Sequence, residues 1–295
     1  MEKVIWLEGI AFMLLILFIG IIIMVNAFYR SAKKKTLQST EVCVRPNLGI
    51  ADHDQQLKQQ LTTLVRYVEQ ALDSEYVEQI KDRVIREQEI HEQEWENRWF
   101  EWKRICLLTL ICKEIPLYSR EVDEIWNEAA SIPEPFEDLS QKLIGQKRFP
   151  RPALPKDEMK QKNRAWFDFL YTLVFVPTWY SQLTYGHFFK YPLSKEVTHD
   201  FSVLTTEQLL EKYFQNEWNA QVPKLEETLT TMIHYLKELL QSFTGKSFDQ
   251  ITEIASKKGQ HQELFIKYLY LSVYEYEQFA NKHRILSLHR EYPIK

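Results

Sequence analysis

The chain has 295 residues, 45% of them hydrophobic and 26% charged, with a formal net charge of -4; it lacks the broad basic footprint that nucleic-acid binding requires. Its three cysteines, Cys43, Cys106 and Cys112, are an odd set without a tight pair, which argues against a disulfide framework and fits a reducing compartment. The length leaves room for one large domain or two small ones.

The first predicted element runs from Gly9 to Tyr29, about twenty residues without a charge, enough to cross a bilayer as one helix. Within hydrocarbon such a segment must be helical, because each backbone amide has to bond inside its own segment. Glu2, Lys3 and Glu8 precede it, and Arg30, Lys33, Lys34 and Lys35 follow. Basic excess marks the cytoplasmic side, so residues 1–30 are expected to be a single-pass cell-membrane anchor with the remainder cytoplasmic. The same basic cluster suits contact with anionic lipid. Trp6, Phe28 and Tyr29 stand at headgroup depth. A cleaved leader is the rival reading, and Val25-Asn26-Ala27 is a tolerable cleavage pattern. The apolar run is too long for one, however, and its flank carries two acids against one lysine.

Residues 31–50 read as a juxtamembrane linker, polar and punctuated by Pro46 and Gly49. Asp52 with Gln55 forms a predicted capping box, and Leu57, Leu61, Leu64, Val68 and Leu72 follow at helical spacing. A charged helical stretch from Glu75 to Lys113 carries Trp95, Trp99 and Trp102 at steps of four and three, ending at Cys106. Aromatics at that spacing point to core rather than to a ligand surface. His91 lies among Glu87, Glu89, Glu92, Glu94 and Glu96. The set has the ligand types for a cation, but without a second cluster it reads as a solvated face.

From Pro116 to Gly145 the punctuation is explicit. Pro116 ends the preceding helix, Ser119 is placed as an N-cap, and Glu121, Asp123 and Glu124 load the first turn with negative charge favoured by the helix dipole. Val122, Ile125 and Trp126 supply the apolar face. After Pro133 and Pro135 a short helix through Phe136, Leu139 and Leu143 ends at Gly145.

These residues resemble the core of the glycine-rich domain-containing proteins of plants and bacteria. The likeness covers roughly residues 95–152 and is carried by the helix ending Ile105-Cys106-Leu107-Leu108, by Pro116 and Ser119, by Val122-Asp123-Glu124-Ile125-Trp126, and by Phe136 to Gly145. It implies that residues 51–150 form a helical region like that core, with 151–295 a second helical region. The family pattern has histidine where this chain has Asn127, and a His-His-x-Pro segment where residues 146–152 have no histidine. Imidazole ligates metals and moves protons near neutral pH and an amide does neither, so the resemblance implies a structural role for Pro116, Ser119, Val122, Asp123, Ile125, Trp126, Asn127 and Gly145. The glycine-rich tail is missing too, since the chain has only 7 glycines.

Phe149 to Lys156 reads as an extended, proline-rich connector. Trp166 to Tyr191 is strongly aromatic. Its uncharged run is long enough to span a bilayer by count, yet Pro177 and several polar residues favour kinked core or a surface resting on lipid or protein. Trp166, Phe167, Trp179, Tyr180 and Tyr185 are the candidate interaction surface. Beyond it come a capping box at Thr205 and Gln208, a long amphipathic helix marked by Leu225, Leu229, Met232, Leu236 and Phe243, a break at Gly245, a cap at Ser247, and a last helix through Phe265, Tyr268, Leu269 and Phe279. Gly245-Lys246-Ser247 lacks the first glycine and the preceding strand of a phosphate loop. Glu196 and His199 have carboxylate-metal spacing without the second motif such sites need.

The expected fold is therefore all-α: one transmembrane helix, then a cytoplasmic domain of about eight or nine helices. The expected function is a membrane-tethered adaptor or scaffold without catalytic activity or cofactor, touching the lipid bilayer and a protein partner whose identity the sequence does not carry. The rival is a degenerate metal-binding enzyme or metal sensor using His91, Glu94 or His199.

Overall fold

The computed structural model describes residues 13–28, 31–32, 41–152 and 160–280. All of their regular elements are helical, and the only β-type pairings among them are isolated bridges, Ile50 with Phe175 and Cys112 with Phe214. The chain divides into two compact units, Met1–Glu41 and Val42–Lys295.

In the first unit, residues 13–28 are helical and every one of them is exposed, from Met13 at 72% to Phe28 at 76%. No helix of the described residues is long and apolar enough to cross a membrane. The described helix covers only part of the Gly9–Tyr29 run, and Tyr29, Arg30, Lys33, Lys34 and Lys35 lie outside the described residues.

The second unit contains, among its described residues, a 3-10 turn at Pro46–Gly49 and thirteen α-helices, more than expected because turns divide the longer stretches. They are α1 (Gln55–Ala71), α2 (Ser74–Gln88), α3 (Glu92–Ile111), α4 (Arg120–Ala130), α5 (Pro133–Ile144), α6 (Lys160–Val174), α7 (Trp179–Tyr185), α8 (Lys195–Val203), α9 (Thr206–Tyr213), α10 (Leu225–Ser242), α11 (Phe248–Ser256), α12 (Gln260–Tyr274) and α13 (Tyr276–Ala280).

The end of the predicted linker belongs to the fold. Leu48, Ile50 and Ala51 are buried, the Ala51 amide donates to Val174 O and the Val176 amide to Gly49 O, each at 2.9 Å. The segment thus closes over the C-terminal end of α6 and satisfies backbone groups that a helix end leaves open. The first cap also moves: Asp54, not Asp52, accepts from the Leu57 amide at 2.8 Å, and Asp52 pairs with Lys58 instead.

The expected Glu75–Lys113 helix is two. Glu89 sits in the left-handed region at φ 50°, and the Ile90 amide returns to Ile85 O at 3.3 Å, the closure of a Schellman motif. Ile90 is buried by the turn. After it α3 runs through the middle of the unit, against α1, α2 and α4, and from Glu94 on it is buried on nearly all sides. The tryptophan ladder is core, as its spacing predicts. Trp95, Trp99 and Trp102 stack at centroid distances of 5.2 and 4.6 Å; the column continues through Trp126 to Phe149 at 5.7 Å each. Aromatic columns of this kind bury large apolar area and add ring-ring attraction.

Several local expectations hold as drawn. Ser119 caps α4 by accepting from the Val122 amide at 3.1 Å, Gly145 ends α5 at φ 68°, Thr205 with Gln208 forms a reciprocal capping box, and Ser247 caps α11, with Gln250 returning the bond. Residues on both sides of position 150 share one compact unit, with α10 packed on α1 and α11 on α12.

Candidate functional site

The densest polar chemistry lies along one side of α3. Glu94, Arg98, Glu101 and Arg104 follow at steps of four, three and three, which places them on one helix face beside the tryptophans, and all four are buried. They stay charged-compatible because each is met by a donor or counter-charge, the condition for burying such groups at all.

Arg104 is the centre of the arrangement. Its Nε donates to Leu48 O at 2.8 Å, Nη1 to the Tyr171 hydroxyl at 2.5 Å and Ser181 Oγ at 3.1 Å, and Nη2 to Val176 O at 3.1 Å. Its guanidinium also lies 4.2 Å from the Phe100 ring centroid. One side chain therefore gathers α3, α6, α7 and the two connecting segments. Glu101 supplies the counter-charge, 3.3 Å from Nη1, and accepts from Tyr171 at 2.6 Å and Ser181 at 2.7 Å. The backbone at Gly49 passes so close that a Cβ there would sit 2.7 Å from Arg104 Nη2, and its φ is +65°; only glycine fits without displacement.

One turn earlier, Glu94 accepts from Arg98 Nε at 2.8 Å, and Arg98 Nη1 reaches Glu124 at 2.9 Å. The Tyr180 hydroxyl lies 3.4 Å from Glu94 Oε1, while Glu94 Oε2 is buried without a partner among the described residues. Burial pushes the Glu94 carboxyl above its ordinary value, with Arg98 pulling the other way. Nearby, Glu121 accepts from Ser119 at 3.1 Å and Thr184 at 3.0 Å. Burial likewise holds the phenols of Tyr171, Tyr180 and Tyr185 well above their usual range.

A second pair, half-buried Arg164 on buried Asp168, fixes the turn after α7. Arg164 Nε donates to Asp168 Oδ1 at 2.7 Å, and the Phe189 amide to Oδ2 at 2.8 Å. The guanidinium also binds the carbonyls of Tyr185 and His187. Burial pushes the Asp168 carboxyl up to about 6 although Arg164 opposes the rise.

This constellation fastens helices. Its charged side chains bond to one another, to buried hydroxyls and to backbone carbonyls, with Glu94 Oε2 alone left unpartnered among the described residues. A surface cleft of about 640 Å³ runs elsewhere, along Asp52, Gln55, Lys58, Gln59, Thr62, Thr63 and Arg66 on the outer side of α1 and the residues before it.

The residues singled out from sequence fall into structural places. Phe167, Tyr180 and Tyr185 are buried, and Trp166 and Trp179 are half-buried, with Trp166 Nε1 donating to Glu114 O at 3.3 Å. Three of the five rings of the expected interaction surface are thus interior: Pro177 breaks the run and the Thr178–Ser181 capping box starts α7 against α3, which turns Phe167, Tyr180 and Tyr185 inward. Pro116, Val122, Ile125 and Trp126 are core, Asn127 is exposed, and Asp123 pairs with Arg151. His91 and His199 are exposed while Glu94 is buried against Arg98, and no group of three or more metal-ligating side chains is assembled among the described residues.

Sequence reading missed Arg104, Glu101, Tyr171, Arg164 and Asp168. Their signal was opposite charges three or four apart, in segments whose other positions are apolar, a pattern equally drawn by solvated helix faces. No family model, no curated protein and no solved structure matches the chain.

Proposed function

We propose that this protein is a membrane-tethered helical scaffold, with residues 1–30 as a single-pass anchor and the unit from Val42 onward on the cytoplasmic side, where it holds a protein partner. The supporting observation is the helix 13–28: sixteen consecutive residues, nearly all apolar, every one of them exposed. Leaving such side chains in water forgoes about 1.5–3 kcal/mol for each large one, and a bilayer is the cover that also accepts a helix with no polar face. The charge flanking that run, acidic before and basic after, favours the orientation. The buried network favours a rigid body over a turnover site, since most of its polar groups are engaged in holding α3, α6 and α7 together. The partner would meet the outer faces of the unit, where Val203, Ile254 and Tyr274 are exposed, and tethering raises the effective concentration of whatever is held.

Fractionation tests the anchor: the full chain should stay with membranes through alkaline carbonate, and release into the supernatant would end the reading. Crosslinking in native membranes, with identification by mass spectrometry, tests the scaffold; a wild-type chain that captures the same proteins as an unrelated single-pass control does not hold a specific partner.

A further inference from the structure

Two histidines 208 positions apart converge on one backbone carbonyl. His53 Nε2 lies 3.0 Å and His261 Nε2 2.8 Å from Thr172 O, in the last turn of α6, where a helix leaves its carbonyls open. A carbonyl only accepts, so both rings donate from Nε2, and in the neutral form of each ring the proton sits there. Their centroids are 5.1 Å apart. His53 is further enclosed by Phe265 at 4.6 Å and Tyr235 at 5.8 Å, and Gln262 Nε2 donates to His53 O at 3.0 Å. The cluster ties the segment before α1 to α6, α10 and α12.

Charging His53 has no outlet. Protonation of His53 would add an N–H at Nδ1, an atom that is buried without a partner among the described residues, and a second positive ring would lie 5.1 Å away. Around it, Arg104 from α3 and Arg45 from the segment before α1 oppose charge on His261. Asp52 favours charge on His53 but is exposed and engaged with Lys58, and Asp54 acts on Tyr235 while capping α1.

The geometry points to an acid-sensitive latch: protonation of His53 and His261 releases the segment of residues 46–54 from the end of α6 while the rest of the unit stays folded. Burial, foremost, holds His53 down to about 4 and His261 to about 3. A depressed imidazole contributes stability that is complete above its open-state value of 6.5 and is lost as pH falls toward the folded value. At pH 5 one histidine lowered from 6.5 to about 4 favours the open form by about thirtyfold.

Hydrogen exchange on the full chain in detergent, corrected for intrinsic rates, reads this locally. Between pH 7.5 and 5.0 the amides of Ala51 and Val176, which close the segment onto α6, should lose protection by about thirtyfold or more, with α3 amides keeping theirs. His53→Gln/His261→Gln should remove the pH dependence. A change under about threefold in the wild type, or an equal loss in the double variant, would overturn the latch. Should that variant not fold, the imidazole C–H resonances of the wild type decide: titration below pH 5 supports the latch, and titration near 6.5 with the segment still protected refutes it.

Discussion

Arg104 binds five partners through three nitrogens and has no solvent to fall back on. Arg104→Ala leaves Glu101 buried without its counter-charge and should cost about 3–5 kcal/mol, read as a lowered urea midpoint. Asp168 makes a prediction of opposite sign to that of the histidines. Burial raises its carboxyl from 3.8 to about 6, so its contribution is complete below the unfolded value and is lost as pH rises through about 6. On acidification from neutral pH it therefore offsets part of what His53 and His261 lose. Asp168→Asn cannot take up that proton, and the variant should lose more thermal stability than wild type between pH 7 and pH 4, measured by circular dichroism at each pH. Equal losses would mean that the Asp168 carboxyl titrates alike in the folded and unfolded chain.

At the scale of elements, caps of the same chemistry differ in what surrounds them. Thr205 caps α9 at an exposed end, whereas Ser119 caps α4 while its hydroxyl also bonds Glu121 and Thr184 in the buried network. Thr205→Ala should cost about 1 kcal/mol, the ordinary loss of a cap. Ser119→Ala removes the cap and a donor to a buried carboxylate, and should cost about 2–3 kcal/mol. Denaturant titration of the two variants side by side tests the argument, and equal costs would place Glu121 outside the energetics of that end. The helix starts themselves were legible, because Ser119, Thr205 and Ser247 act on amides three residues away and Gly145 on its own φ. The division of α2 from α3 was not: Glu89 adopts a left-handed conformation that its residue type does not favour, driven by the burial of Ile90.

For the whole molecule, a chain begun at Val42 should be soluble, strongly helical by far-UV circular dichroism, and as thermostable as the same unit within the full chain, since Val42–Lys295 forms its own compact unit. Loss of the cooperative melt on truncation would show that the first unit is needed for the second to fold. The sequence by itself determined the all-helical class, the capped helix ends, the tryptophan ladder as core and an apolar amino-terminal run, because period, caps and composition act within a turn or two of the chain. Only the tertiary structure decided which charges are inside. Glu94 read as part of a solvated face, and Arg98, Glu101 and Arg104 drew no reading of their own, until Tyr171, Tyr180 and Ser181, some seventy to ninety positions away, cover them. The aromatic stretch from Trp166 read as either kinked core or a surface until α6 and α7 turned most of its rings inward, and His53 met His261 only across the folded unit. A side chain's fate between water and core depends on what packs over it, and that partner is set by the path of the whole chain.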